Sequence, residues 1–273
     1  MPANSVPRQG GAARPNMKLK DQVAIITGAG RNIGEDTAKL FAAEGAKVAV
    51  ADNHKGRADK VADDIVKANG EAAGFVADVS SEADVEKLVK DVVGRWGRID
   101  ILVNNAAISD NKHMLDISKQ DWDRVMAVTL TGPFLMSQKV ARQMVAQGQN
   151  GGKGGGKIVN VGSTSGFFGR RRAIAYTTAK AGVANLTRSM AVQLAPHNIR
   201  VNCVVPNKIG SPVGKDEFDP TRTVVNLRGR VGVPMDLARA ILFLASDDSD
   251  FIVGDMLFVD GGLAAMMVGD GTP

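Results

Sequence analysis

Short runs of unbroken apolar residues alternate along this chain with longer stretches whose apolar positions recur at helical spacing. Strand-like runs stand at Val23 to Thr27 (V-A-I-I-T), Lys47 to Ala51, Ala73, Ile101, Ile158, Val201 and Met256. A strand apolar on both sides, rather than alternating, is one buried on both faces, as in a parallel sheet covered by helices. After Gly34 the pattern changes to a helix with Ala38, Leu40, Phe41 and Ala42 on one face, and Gly45 stands where a helix-ending glycine is expected. The alternation predicts an α/β fold: a doubly wound parallel sheet with helices on both faces. A chain of 273 residues gives one such domain as the natural count, over residues 17–273.

Two places add chemistry to this pattern. The first strand feeds directly into G-A-G-R-N-I-G, residues 28–34, and then into the helix. A glycine turn between strand and helix offers free backbone N–H groups and the positive end of a helix dipole to a pyrophosphate. The next strand ends in Asp52, eighteen residues after Gly34, a spacing that suits the hydroxyls of an adenosine ribose. Strand, glycine turn, helix, strand and acid together predict a Rossmann-type dinucleotide site.

The second place is Y-T-T-A-K, in which Tyr176, the only tyrosine of the chain, stands four residues before Lys180. One helical turn puts both side chains on one face. A phenol titrates near ~10, and a nearby ammonium favours the phenolate; lowering the pKa by about three units asks for roughly 4 kcal/mol. Ser163, thirteen residues upstream, can hydrogen-bond a substrate oxygen beside the phenol. Taken alone, the pair also reads as a packing aromatic and a solvated lysine.

With these residues in view, the chain resembles the short-chain dehydrogenase/reductase family from about Leu19 to about Leu263. The resemblance is carried by T-G-A-G-R-N-I-G at Thr27 to Gly34, Asp78-Val79 after the third strand, N-N-A-A at Asn104 to Ala107, Ser163 with Tyr176 and Lys180, and Pro206 after a strand. It implies an oxidoreductase interconverting a secondary alcohol and a ketone, with Ser163, Tyr176, Lys180 and Thr129 as the catalytic group. Cofactor contacts are implied at Gly28, Arg31, Asn32, Ile33, Gly34, Asp52, Asp78, Val79, Asn105, Ala106, Ala107, Tyr176, Lys180, Pro206, Asn207 and Ile209. The Asp52 charge opposes a 2′-phosphate, so NAD is expected before NADP; Arg31 is the residue that favours NADP and, with it, a reductase of acyl-thioester ketones.

Departures from the family pattern qualify this reading. Asn32 and Asn207 stand where the family usually has glycine, and Asn is the non-glycine residue that best tolerates positive φ. Ala107 replaces a glycine. Thr129 replaces an asparagine that helps hold a proton-relay water near the lysine, which leaves a tolerated variant and a weakly active sensor or scaffold both open. Between Ser163 and Tyr176, a loop that by resemblance lines the pocket mouth, Ser165, Phe167, Phe168 and Arg170 are the expected substrate contacts. The run Arg170 to Arg172 reads either as a solvated or intersubunit patch or as a source of a guanidinium for a substrate carboxylate or phosphate. The segment Pro206 to Arg230, which usually folds over the substrate, is short for the family. Family resemblance also implies a homotetramer, with Leu263 to Val268 as a plausible contact.

Composition changes little else. The net charge is +5, and two of the positive charges, Arg8 and Arg14, lie in residues 1–16, a Pro-, Gly- and Ala-rich extension expected to be disordered, so no nucleic-acid partner is implied. Gly148 to Gly156 reads as a surface loop. No apolar run is long enough for a bilayer, and the lone Cys203 inside V-N-C-V-V fits a buried residue in a reducing, cytoplasmic setting. His54, His113 and His197 lie far apart without neighbouring ligands, so no metal is expected.

Overall fold

The computed structural model describes residues 17–149, 154–213 and 219–267. The extension 1–16, part of the glycine-rich loop, part of the segment after Pro206, and Val268 lie outside the described residues.

All seven apolar runs are strands of one parallel sheet. They are β1 (Val23–Thr27), β2 (Lys47–Asp52), β3 (Glu71–Val76), β4 (Ile101–Asn104), β5 (Gly156–Val161), β6 (Ile199–Pro206) and β7 (Met256–Val259). Their order is β3-β2-β1-β4-β5-β6-β7. Every residue of β1 and β4 is buried. The edge strand β3 instead exposes Glu71 and Val76, because only one neighbour covers it.

Side-chain alternation explains why the central strands are apolar throughout. Ala24 and Ile26 of β1 face a core built with α1 (Asn32–Ala43), α2 (Lys55–Lys67) and α7 (Pro234–Ala245), where Phe41, Val61 and Ile241 are fully buried. Val23 and Ile25 face the other core, built with α3 (Glu82–Trp96), α5 (Gly132–Gln149) and α6 (Ile174–Leu194), where Leu88, Met136 and Met144 are buried. The helix ends follow local chemistry. At α3, the Ser81 hydroxyl accepts the Asp84 N–H at 3.3 Å, and Gly97 closes the helix at φ +77°.

The chain order reverses between β1 and β4, which opens a crevice at the carboxyl ends of these strands. Thr27, Asn105, Ser163 and Pro206 all emerge there. The fourth helix, α4 (Lys119–Met126), passes into α5 through a π-helical turn at Ala127–Thr131, a feature often found at functional sites. Helix α5 runs on to Gln149, so Gly148 belongs to a helix rather than to the expected loop. The described residues between 207 and 233 form neither helix nor strand, apart from a bridge pairing Ile209 with Gly232. At the C-terminal end, Leu263–Ala265 make a single 3₁₀ turn, and Met267 is exposed.

Candidate active site

Three loops meet at the C-terminal edge of β4 and β5. Ser163 follows β5 in extended conformation, and its Oγ accepts the Ser165 N–H at 3.1 Å. The tight turn behind it presses on α6: a Cβ at Gly166 would lie 2.7 Å from the Lys180 carbonyl carbon. Helix α6 begins after Ala173, a residue at φ +71° that provides no side-chain cap. The cap comes from another element. Asp110, on the loop after β4, accepts the Tyr176 N–H at Oδ1, 3.0 Å away, while the Ala173 N–H donates to the Lys112 carbonyl at 2.9 Å. Asp110 is buried and its Oδ2 has no partner.

These contacts bring Ser163, Tyr176 and Lys180 together in a buried cluster. Their exposures are 8%, 6% and 3%. Burial pushes the Tyr176 phenol above its ordinary value, while the hydrogen bond with the Ser163 side chain and the Arg170 charge pull it down. The lysine differs from the expectation that it would lower the phenol's pKa in place. Its Nζ donates to the Val161 carbonyl at 2.5 Å and stands 5.8 Å from the centroid of the Tyr176 ring. Burial lowers the Lys180 pKa to about 8, against a weaker upward pull from Cys203. Cys203 lies behind the lysine on β6, fully buried, and burial pushes its thiol up to about 11.

Thr129 lies in the π-helical turn and is fully buried. Its Oγ1 accepts the Ile108 N–H at 3.1 Å and donates to the Ile108 carbonyl at 2.9 Å. The hydroxyl thus clamps the loop that carries Ala107 and Asp110, rather than presenting its proton toward Lys180. Ala107 packs against the small cluster containing Val125 and Tyr176.

The other half of the crevice has the shape of a dinucleotide cradle. A Cβ at Gly34 would stand 2.2 Å from the Gly28 carbonyl oxygen, and one at Gly30 would stand 2.8 Å from Asp52 Oδ2, so both turn positions require glycine. Gly28 adopts φ +61°. The Thr27 hydroxyl accepts the N–H groups of Asn105 at 3.0 Å and Ala106 at 3.1 Å, and Asn105 Nδ2 donates back to the Thr27 and Gly28 carbonyls at 3.0 Å each. Asp52 is buried, with Oδ2 accepting the Gly30 N–H and Oδ1 the His54 N–H, both at 3.0 Å.

Helix α1 has no side-chain cap at Arg31, so its first N–H groups carry the positive end of the helix toward the crevice. These residues fit a dinucleotide, with the glycine turn for the pyrophosphate and Asp52 for a ribose. Ile33 packs its side chain into the core beneath the turn. Asp78 is exposed and Val79 buried at the end of β3, and Asp78 Oδ1 takes the Ser80 N–H and hydroxyl.

The two asparagines behave differently. Asn32 adopts the left-handed conformation at φ +54°, as its place in the glycine motif suggests, but after β6 the positive φ falls on Lys208, at +43°, and not on Asn207. Asn207 instead donates to Thr164 Oγ1 at 2.7 Å, and Ile209 is buried behind it. Of the expected substrate residues, Ser165 adjoins Ser163, Phe168 and Arg170 are exposed at the rim, and Phe167 packs at a tilt of 56° against Phe258 of β7 with centroids 5.1 Å apart. Arg172 Nη1 donates to the Asn111 carbonyl at 3.3 Å and joins the two wall loops.

Sequence reasoning missed Gly30, Thr27, Asp110 and Ser211. The first two sit inside the glycine motif and were legible there. Asp110 and Ser211 were not, because their partners lie 66 and 179 residues away.

Comparison with known proteins assigns the family. A family model described as enoyl-(acyl carrier protein) reductase matches residues 28–264. The chain is 38% identical to the 3-oxoacyl-[acyl-carrier-protein] reductase FabG of Thermotoga maritima, over 90% of this chain and 99% of that one. It is 40% identical to the cis-4-hydroxycyclohexanecarboxylate dehydrogenase of Sinomonas cyclohexanicum, over 90% of this chain and 98% of that one. A short-chain type dehydrogenase/reductase from Mycobacterium marinum superposes with a TM-score of 0.82 at 35% identity, covering 92% of this chain and 98% of that one. The chain belongs to the short-chain dehydrogenase/reductase family, and it is an NAD(P)-dependent oxidoreductase.

Proposed function

We propose that the protein interconverts a secondary alcohol and a ketone with NAD(H), using Tyr176 as general acid and base. The observation that carries this reading is the buried meeting of the Ser163 hydroxyl, the Tyr176 phenol and the Lys180 ammonium. When bound, the nicotinamide supplies or accepts the hydride. Ser163 Oγ holds the substrate oxygen. In the oxidation direction the phenolate oxygen of Tyr176 takes the hydroxyl proton, and in reduction the phenol returns it. Lys180, its Nζ held by the Val161 carbonyl, holds the nicotinamide ribose. Thr129 and Asp110 act as positioning residues, through Ile108 and through the Tyr176 backbone.

Asp52 supports NAD over NADP. A carboxylate held by two backbone N–H groups beside the glycine turn would oppose a 2′-phosphate bound there. Arg170 supports a substrate that carries a carboxylate or similar anion, since its guanidinium is exposed and acts electrostatically on the phenol. The Sinomonas relative is named for a ring alcohol bearing a carboxylate, which has this combination of groups.

A cytoplasmic homotetramer completes the reading. A groove of about 380 Å³ between α5 and α6, lined by Phe134, Val145, Met190 and Leu194 among others, is an apolar face suited to a second copy. Light scattering that finds a monomer at working concentration would remove the assembly claim.

The functional test is a panel of secondary alcohols, with and without a carboxylate, assayed with NAD⁺ and NADP⁺ alongside dissociation constants for both cofactors. Turnover of carboxylate-bearing alcohols with NAD⁺ is expected. Tighter NADPH binding would overturn the cofactor choice. Tight NAD binding with no turnover would turn the reading toward a sensor or scaffold.

A further inference from the structure

Asn32 stands where the family usually has glycine, and its side chain is not idle. Nδ2 donates to the Ser211 carbonyl at 3.3 Å, and Oδ1 accepts the Ser211 N–H at 3.3 Å, so the amide pairs with the backbone of the loop after β6 in both directions. The pairing requires a complementary vacancy of side chain on the other strand of the contact. Gly210 meets that requirement: a Cβ there would lie 2.1 Å from Asn32 Oδ1. Asn32 in the left-handed conformation and glycine at 210 therefore interlock: the Asn32 amide occupies the space that a Cβ at 210 would take, and Gly210 itself stands at φ +62°.

The loop on the far side of this contact is itself held. Gly210 N–H donates to the Gly232 carbonyl at 2.8 Å, and Gly232 N–H donates to the Lys208 carbonyl at 3.1 Å. Lys208 Nζ reaches the Thr223 carbonyl at 2.7 Å, and Arg222 Nη2 reaches the Gly210 carbonyl at 3.4 Å. Asn32 thus ties a braced loop to the glycine turn. A dinucleotide that joins Asp52 at one end to Tyr176 at the other must run past this turn and alongside the loop. Held by Asp52 and Tyr176, it would have its adenosine half toward β2 and its nicotinamide half toward β5 and β6.

We propose that Asn32 and Gly210 form an interlocking pair that holds the loop after β6 against the glycine turn and thereby determines how firmly the nicotinamide half of the dinucleotide is retained. The pair replaces the backbone freedom of a glycine with a side-chain tie. Cofactor release then requires the two amide hydrogen bonds to open, while a ligand confined to the adenosine half does not depend on them. The proposal rests on the dinucleotide reading given above and adds a residue pair to it.

The test is the dissociation rate of NADH, read by its fluorescence in stopped flow, together with the dissociation constant of AMP. Asn32→Gly suits the positive φ and removes the tie. It is expected to speed NADH dissociation about tenfold, the effect of losing two neutral hydrogen bonds, and to change AMP affinity by less than about twofold. Gly210→Ala is expected to speed NADH dissociation clearly more in the parent, where its Cβ meets Asn32, than in the Asn32→Gly background, because the strain of Ala at positive φ is common to both and cancels in the comparison.

NADH dissociation within twofold of the parent in Asn32→Gly would overturn the proposal. So would equal effects of Gly210→Ala in the two backgrounds, or a parallel loss of AMP and NADH affinity, which would indicate general damage to the turn. A parent protein that binds no NADH would overturn the dinucleotide reading itself, and this inference with it.

Discussion

Lys180→Met exchanges a buried ammonium for an apolar side chain of similar length, and the structure fixes what that should do to stability. Burial lowers the lysine pKa from an ordinary 10.5 to about 8. By linkage that difference is worth about 3 kcal/mol against the fold when the lysine is charged in both states. The sign follows from proton counts. Between about pH 8 and 10.5 the unfolded chain binds more protons than the folded one, so stability rises with pH across that window. Below pH 8 the full cost is present, and by pH 10 it falls to about 1 kcal/mol.

Methionine removes this cost but leaves the Val161 carbonyl without its donor, which returns roughly 1–2 kcal/mol. The variant should therefore be more stable than the parent by about 1–2 kcal/mol at pH 7, with no advantage left at pH 10. Urea titrations of both proteins at pH 7 and pH 10, without added cofactor, measure the difference. A stability difference that does not change with pH would refute the buried-ammonium argument, and a variant clearly less stable at pH 7 would refute its magnitude. Turnover should be lost in either case.

Three further outcomes follow from the site. Thr129→Val keeps shape but strips the partner from both backbone groups of Ile108; it should destabilise by roughly 2–4 kcal/mol in urea, Thr129→Ser should restore most of that, and a Val variant as stable as the parent would show that the clamp is unimportant. Asp110→Ala removes the cap from the start of α6 and should lower kcat about tenfold or more with less effect on KM, while Asp110→Asn, which keeps an acceptor, should recover much of it; equal damage by both would point to the charge instead. Because Tyr176 is the only tyrosine, its ionisation can be followed by tyrosinate absorbance, and Arg170→Gln should raise its pKa, since the guanidinium favours the phenolate; an unchanged or lowered value would remove Arg170 from the site's electrostatics.

The fold was legible because strands covered on both faces leave an unbroken apolar signature, and all seven runs became strands in one sheet. The cofactor turn was legible too, since its glycines, its helix start and Asp52 are close in sequence and each answers a local constraint. Contacts between distant segments were not. Nothing local marks Asp110 as the cap of a helix that begins 64 residues later, or Thr129 as the partner of Ile108. Asn32 was visible as an unusual residue, but its pairing with Ser211 depends on how the loop after β6 returns over the sheet. The expected direction of the phenol's pKa failed for a related reason. Sequence spacing sets Lys180 one turn from Tyr176, but the fold offers the ammonium a nearer carbonyl and buries both groups.

The central claim is that Tyr176 transfers the proton in a hydride exchange with a dinucleotide. It is tested most directly by comparing Tyr176→Phe with the parent on one secondary alcohol that the parent oxidises, measuring turnover by NADH formation and NADH affinity by fluorescence. Only a hydroxyl is removed, so the account predicts a fall in kcat of about 10²- to 10⁴-fold with NADH affinity within about twofold of the parent. A Tyr176→Phe protein that turns over at the parental rate would contradict it.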